Sequence, residues 1–281
     1  MGELIETEGF LRAKDNLRLY WREIRPAAPK ASVAIVHGYA EHSGRYLEVA
    51  RHLANHGYAA HAFDYRGHGQ ADGRRGHVDH FSEYLDDLDV FLAKVKEKTG
   101  GRKLFVLGHS HGGLMLLNGG ITRPDAGVSG AVLTDPYLKL AFAPPRYLVM
   151  ISGLLSKVVP WLPVKNELNV EMLTRDVAIQ AAARQDPLYN HNATPRWFIE
   201  SNRAQAEVRL RAAEFRWPTL LLLGKADTLA DPQASRDLFP KLGAKDKELV
   251  EYDDMRHEVL NEVGRERVFG DLTRWLDARV A

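Results

Sequence analysis

Apolar and polar positions along this chain follow two periods, and the order in which those periods succeed one another predicts strands joined by helices. Phe10-Leu11 and Leu17-Arg-Leu-Tyr-Trp21 alternate around the turn pair Asp15-Asn16, which predicts a hairpin. Ser32-Val-Ala-Ile-Val36 is the apolar run expected of a strand buried on both faces, Tyr46 to His56 reads as a helix, and Ala59 to Asp64 as the next strand, closed by the turn Arg66-Gly-His-Gly69. Phe81, Tyr84, Leu85, Leu88, Phe91, Leu92 and Val95 then recur at helical spacing with charges between them. Lys103-Leu-Phe-Val-Leu107, Gly130-Ala-Val-Leu-Thr134, Pro218 to Leu223 and Lys247 to Tyr252 give further strands. A helix from Arg265 to Val280, apolar at Val268, Leu272, Trp275 and Leu276, closes the chain. Strands linked by helices imply parallel pairing with right-handed crossovers, so the expectation is an α/β protein with reactive groups at the carboxyl ends of the strands.

The rhythm stops at Leu138 and resumes only at Pro218. We read residues 138–215 as an inserted cap and residues 1–137 with 216–281 as the core. The first part of the insertion is rich in Leu, Val and Pro and contains Trp161; the remainder, including Ala181-Ala-Ala-Arg and Arg203 to Ala213, reads as polar helix. The apolar part has two readings. One is ordinary packing of cap on core; the other is an acyl-chain tunnel, lined by Leu138, Phe142, Leu148, Ile151, Leu155 and Trp161, whose rim touches lipid.

Composition narrows the function. Lys plus Arg number 38 against 37 Asp plus Glu, a net charge of +1 with the signs interspersed, so no electrostatic footprint for nucleic acid is present. There is no cysteine, which excludes a thiol nucleophile and Cys-ligated zinc. The N-terminal residues Met1 to Glu6 lack the basic and apolar regions of a secretory signal. The longest apolar stretch, Tyr147 to Leu155, is about half of the ~20 residues that span a bilayer. A cytoplasmic protein is expected, with peripheral membrane contact through the cap as a corollary of the tunnel reading.

The chemistry begins at Gly108-His-Ser-His-Gly112, a G-x-S-x-G pentapeptide between the strand Lys103–Leu107 and the helical Gly113-Leu-Met-Leu-Leu117. A nucleophile elbow needs that context: the serine sits on a strained turn, and the glycines remove the Cβ atoms that would keep strand and helix apart. Ser110 is the candidate nucleophile. A serine hydroxyl needs a histidine to take its proton and an acid to orient the histidine. Among 12 histidines His257 is best placed, in a short loop after the last strand. The acid candidates are Asp227, Asp231, Asp135, Asp253 and Asp254; Asp227 follows a strand by a tight turn, and Asp135, also at a strand end, is the reserve. The oxyanion donors expected are backbone N–H groups, one from His111 after the nucleophile and one from Tyr39 after the strand ending His37-Gly38. No metal is expected, since His257-Glu258 begins H-E-x-x-H but Asn261 occupies the second ligand position, and His77-Val-Asp-His80 reads better as a turn. No cofactor is needed.

These residues resemble the monoacylglycerol lipase and lysophospholipase branch of the serine α/β-hydrolases. His37-Gly-Tyr-Ala-Glu-His-Ser-Gly-Arg-Tyr46 is similar to that branch's H-G-x-x-E-H-S-x-R-Y loop, and Asp64-Tyr-Arg-Gly-His-Gly69 with Arg75-Gly-His-Val78 to its D-x-R-G-H-G…R-G-H-V stretch. Gly224-Lys-Ala-Asp227 with Asp231-Pro232 resembles the acid-bearing turn, and His257-Glu-Val-Leu-Asn-Glu262 the histidine loop. The resemblance implies an α/β-hydrolase fold, with a mostly parallel eight-stranded sheet, flanking helices and an inserted cap. It also implies a triad of Ser110, Asp227 and His257, oxyanion amides at Tyr39 and His111, and hydrolysis of a small lipid ester, a monoacylglycerol by preference. The alternatives are a lysophospholipase or general carboxylesterase, for which Arg146 and Lys157 are headgroup partners, and a non-catalytic ligand-binding module on the same fold. The chain departs from the family where His111 replaces a methionine, where Ala71 replaces a serine, and where Asp135 stands in place of a small residue before Pro136.

Overall fold

The computed structural model describes residues 3–165 and 169–280; the side chain of Arg146 lies outside the description. Eight strands form one sheet in the spatial order β1 (Ile5–Arg12), β2 (Arg18–Arg25), β4 (Tyr58–Asp64), β3 (Ala31–Val36), β5 (Leu104–His109), β6 (Gly130–Thr134), β7 (Thr219–Gly224) and β8 (Lys247–Tyr252). β2 runs antiparallel to both β1 and β4, and every other pairing is parallel. The expected N-terminal hairpin forms with Leu11 opposite Leu19, and Asn16 takes the left-handed conformation (φ 72°) in its turn, which asparagine tolerates.

The central strands β3, β5, β6 and β7 are buried at every position because helices cover both faces of the sheet. On one face α1 (Leu47–Asn55) and α8 (Glu266–Val280) pack over Val33, Ile35, Phe105 and Leu107. On the other, α2 (Phe81–Thr99) and α3 (His111–Thr122) pack over Ala34, Val36, Leu104 and Val106. The alternation of strand residues between the two clusters is the period-2 rule at work. α2 buries the seven apolar positions read from the sequence, begins with a capping box between His80 and Glu83, and ends at Gly100 (φ 59°). The helix expected from Tyr46 starts one residue later in α-form, because a 3-10 turn over Ser43–Tyr46 leads into α1.

Between β6 and β7 the chain leaves the sheet and forms α4 (Arg146–Val158), α5 (Val177–Gln185) and α6 (Pro195–Arg211), with a two-residue ladder between Val164–Lys165 and Asn192–Ala193. Hydropathy alone ranks these helices in the wrong order for burial. The polar α6, capped by Thr194 and started by Pro195, is the one that docks on α3, burying Trp197, Ser201, Ala204 and Val208. The apolar α4 rides outside on α6, with Tyr147, Met150, Leu154 and Val158 exposed. Among the described residues no helix is long and apolar enough to cross a membrane.

Trp275 of α8 is the largest fully buried side chain, set edge-on to Phe105 and covered by the Arg279 guanidinium 4.1 Å from its ring. Trp275→Ala is expected to cost ~3–5 kcal/mol through lost burial and the cavity left behind, read as a lower urea midpoint with an unchanged slope.

Candidate active site

β5 ends at His109 and α3 begins at His111, so the chain must reverse within one residue. Ser110 absorbs that reversal at φ 49°, a conformation that serine adopts only under the constraint of its surroundings. The glycines make the approach feasible: a Cβ on Gly108 would lie 2.7 Å from the Gly112 carbonyl oxygen, and one on Gly112 only 2.2 Å from that of Val36. The turn is pinned by the Ser110 N–H donating to Thr134 (3.0 Å) and by the Tyr137 and Leu114 amides donating to the Ser110 carbonyl (2.9 and 3.0 Å).

Two elements far apart in sequence converge on this serine. His257, in the loop after β8, places Nε2 2.9 Å from Ser110 Oγ and Nδ1 2.7 Å from Asp227 Oδ2. Asp227 lies in the turn after β7, where its other oxygen accepts the N–H groups of Leu229 (2.7 Å) and Ala230 (3.1 Å). All three residues are buried. Burial alone would lower the His257 pKa; the charge and hydrogen bond of Asp227, with the charges of Glu258 and Glu41, outweigh it and raise the pKa above its ordinary value.

The other acid candidates have different employment. Asp231 caps a helix, α7 (Pro232–Leu238), that the sequence reading did not include, and pairs with Lys139. Asp253 pairs with Lys225 at the surface, and Asp254 with Arg175 and Arg267. Asp135 is buried at the end of β6 in a left-handed conformation (φ 43°), with Oδ1 accepting the Gly224 N–H at 2.8 Å. Among the described residues no group of three or more His, Asp or Glu side chains is arranged to hold a metal ion. His77 instead bonds Thr194 Oγ1 and pairs with Asp79.

Gly38 and Tyr39 line a cavity of about 290 Å³ that Ser110 and His257 also face. A Cβ on Gly38 would lie 3.3 Å from that of Ser110, so the loop after β3 is in van der Waals reach of the serine. The Tyr39 ring stacks on Trp197 at 3.8 Å and its hydroxyl donates to the Asn192 carbonyl (2.5 Å), which anchors this loop to the segment that leaves the sheet. His111 contributes the first amide of α3, which has no acceptor within its own helix. Its ring is not on the wall of the cavity that Ser110 faces. It is enclosed by Tyr39, Tyr65, Phe81, Tyr84 and Trp197, and burial together with the charge of nearby His68 pushes its pKa down to about 3, so the imidazole is neutral.

The cavity walls are mainly apolar and include Leu140, Phe142, Leu173, Trp197, Phe198 and Leu229. Of the six residues expected to line an acyl tunnel, only Phe142 is on the wall. Leu138 is buried in the main core, Leu148, Ile151 and Trp161 are exposed, and Leu155 is half-buried on α4. Apolar content located the segment but not its facing, because α4 turns its apolar face outward. Of the expected headgroup partners, Lys157 is exposed on the same helix and the Arg146 side chain lies outside the described residues.

Sequence reasoning did not assign a buried ionic clamp beside the site. Arg45 donates to both oxygens of Glu258 (2.6 and 2.7 Å) and to Glu41 (3.1 Å), while Glu41 also accepts the N–H of Gly38 and the hydroxyl of Tyr46, each at 2.6 Å. Burial raises the Glu41 pKa, against the pull of Arg45 and with the charge of Glu258 adding to the rise; at Glu258 the pull of Arg45 outweighs burial and the pKa falls. The i, i+4 spacing of Glu41 and Arg45 was the available signal, and the adjacency of Glu258 to His257 the other.

A buried serine, aspartate and histidine in that chain order, hydrogen-bonded through the histidine on this sheet, define the class, an α/β-hydrolase with a serine-centred site. Comparison with known proteins agrees: the family model described as serine aminopeptidase S33 matches residues 27–264. A monoacylglycerol lipase of Mycolicibacterium smegmatis is 32% identical over 252 residues, covering 88% of each chain, and phospholipase YtpA of Bacillus subtilis is 30% identical over 255 residues, covering 89% of this chain and 95% of that one. Among solved structures, the monoacylglycerol lipase of Paleococcus ferrophilus superposes with a TM-score of 0.83 at 28% identity, covering 99% of both chains. The chain belongs to this serine hydrolase family, in the branch that contains the monoacylglycerol lipases.

The buried imidazoles give this fold a stated acid sensitivity. Burial, in each case the largest cause, holds His37, His68, His109 and His111 down to about 3, whereas in the unfolded chain they titrate near 6.5. The unfolded state therefore binds more protons between those values, so stability is full above about pH 6.5 and falls as pH drops toward 3, by up to about 1.4 kcal/mol per pH unit for each group. His111→Met is expected to make the decline in urea-unfolding free energy from about pH 6.5 to about pH 4.5 shallower by about one proton. An unchanged slope would show that His111 is not neutral in the folded protein.

Proposed function

We propose that this protein hydrolyses the carboxylic ester of monoacylglycerols, with Ser110 as nucleophile, His257 as general base and then general acid, and Asp227 as the residue that orients and stabilises the imidazolium. The observation that carries this reading is the continuous hydrogen-bonded path from Ser110 through His257 to Asp227 at the wall of an apolar cavity. Ser110 Oγ attacks the ester carbonyl as its proton passes to His257 Nε2. The N–H groups of Tyr39 and His111 receive the oxyanion, a contribution worth ~3 kcal/mol per donor in other hydrolases. His257 then protonates the departing glycerol oxygen, leaving an acyl-Ser110 that water attacks by the same path. Residues 138–215 act as the cap that supplies Phe142, Leu173, Trp197 and Phe198 to the acyl chain.

A neutral substrate suits the charges around the serine. Of the charged groups at the cavity, Glu41 and Glu258 share the cation Arg45 and Lys165 lies on the same wall, so positive and negative side chains balance there and a substrate without charge fits them. The same sharing argues against peptidase action, since an N-terminal ammonium would need a carboxylate not already committed to Arg45. The cavity volume suits one acyl chain. The exposed apolar side of α4, continuous through Trp161 and Leu162 with Phe142 and Val164 at the cavity, is the surface that would meet a lipid aggregate.

Fatty-acid release from a monoacylglycerol, a lysophosphatidylcholine and a short-chain aryl ester is expected to be fastest on the first and to fall by at least about 10³-fold in Ser110→Ala. Faster release from the lysolipid would transfer the assignment to the phospholipase alternative, and silence on all three esters would favour a non-catalytic binding module. In a vesicle-sedimentation assay, Met150→Glu with Leu154→Glu is expected to weaken binding and lower the rate on emulsified monoacylglycerol, while turnover of the soluble aryl ester stays near the wild-type rate. Equal vesicle binding would remove α4 from any role at the lipid surface.

A further inference from the structure

β6 lies between the strand that carries Ser110 and the strand that leads to Asp227, and it ends in a carboxylic acid with no role in the mechanism above. Asp135 is buried, and its backbone is held in the left-handed region, its N–H donating to the Leu222 carbonyl at 3.2 Å. One carboxyl oxygen accepts the amide of Gly224, three residues before Asp227. The other, Oδ2, is buried with no hydrogen-bond partner among the described residues. The turn Val259–Asn261, which begins two residues after His257, packs on β7, the strand that ends at Gly224, so the group stands between the acid turn and the histidine loop. A left-handed turn explains a preference for Asp or Asn over most residues, but not for Asp over Asn, whose burial carries no charge. A buried acid beside a second acid holds its proton, and burial and the charge of Asp227 do push the Asp135 pKa well above its ordinary value.

We propose that Asp135 is a second acid for His257, held in reserve as a protonated carboxyl while Asp227 is present and able to replace it as the partner of the imidazole when Asp227 is removed. The proposal rests on the triad assigned above. Removing Asp227 takes away the charge that disfavours ionisation of Asp135 and opens the space beside Nδ1. Asp135 then loses its proton to solvent, and its carboxylate accepts the Nδ1–H and stabilises the imidazolium formed when Ser110 attacks. It acts only through His257 and is a positioning residue.

The test compares Asp227→Ala with Asp227→Ala/Asp135→Asn on the soluble aryl ester from about pH 6 to about pH 10, with a thermal melt to establish that each is folded. Asparagine keeps an acceptor oxygen for Gly224, so the second change removes little beyond the ionisable group. Loss of the acid from a serine triad ordinarily costs about 10⁴-fold. The expected result is that Asp227→Ala loses only about 10- to 100-fold, with a rate that climbs with pH over a range where the wild type is flat, and that the double variant falls to the full loss with no climb. If both variants show the same rate and the same pH profile, Asp135 is only a turn residue and the proposal is overturned. If Asp227→Ala matches the wild type at all pH values, the assignment of Asp227 itself fails, a result distinguishable from the former. Should the alanine variant not fold, Asp227→Ser, which keeps an acceptor for the Leu229 and Ala230 amides, supplies the same comparison with and without Asp135→Asn.

Discussion

The geometry of this site depends on one buried cation. Arg45 joins Glu41, which holds the Gly38 amide and so shapes the loop after β3, to Glu258, the residue next to His257. Two loops that leave different strands, and that the hydrogen bonding of the sheet does not connect, are thereby fixed to each other across the serine. Such a triad of charges is a poor source of net stability, because the desolvation of three ions offsets most of their attraction. Its value is positional: taking away Arg45 would leave two buried carboxylates facing each other, with nothing to tie the one loop to the other. The Arg45 guanidinium also stacks over Tyr189 at 5.6 Å, and His42 bonds Asp186, so the clamp reaches on into the segment between β6 and β7.

The sheet explains why so few local interactions suffice elsewhere. With β3, β5, β6 and β7 buried on both faces, the strand ends are held in register by the whole core, and Ser110, Asp135 and Asp227 inherit positions set by strand order rather than by their immediate neighbours. Strain at Ser110 and Asp135 is tolerable for the same reason. Each sits where two packed layers leave no room for another path, and the left-handed turns occur at the edge where the chemistry is.

Much of this was legible in the sequence, and what was not has a common cause. The buried strands, the face of α2 and the elbow glycines depend on residues near one another along the chain, where period and spacing carry the information. The facing of α4 does not. An apolar helix is expected to be buried, yet α4 leaves its apolar side outward because α6, polar in composition, already occupies the surface of α3 through Trp197, Ala204 and Val208. His111 is a similar case: its place in the pentapeptide gives the position of its amide, while the ring's surroundings come from Tyr39, Phe81, Tyr84 and Trp197 on three other segments. The clamp between Arg45 and Glu258 spans most of the chain, and the local signals at its two ends, the Glu41–Arg45 spacing and the adjacency of Glu258 to His257, do not say that they meet.

The imidazoles around the site then show how one fold gives like residues opposite chemistry. His37, His68, His109 and His257 are all buried within the same layer, and burial pulls every one of them toward the neutral form. The first three turn Nδ1 toward Gly38, Arg66 and Thr134, partners that are carbonyl or hydroxyl oxygens without charge. Only His257 turns it toward a carboxylate. A neutral acceptor orients a ring but does little to compensate its charge, so those three remain uncharged while His257 alone gains a proton affinity above the ordinary value. Of these four rings His257 alone is therefore equipped to hold a proton, which is the property the proposed mechanism asks of it.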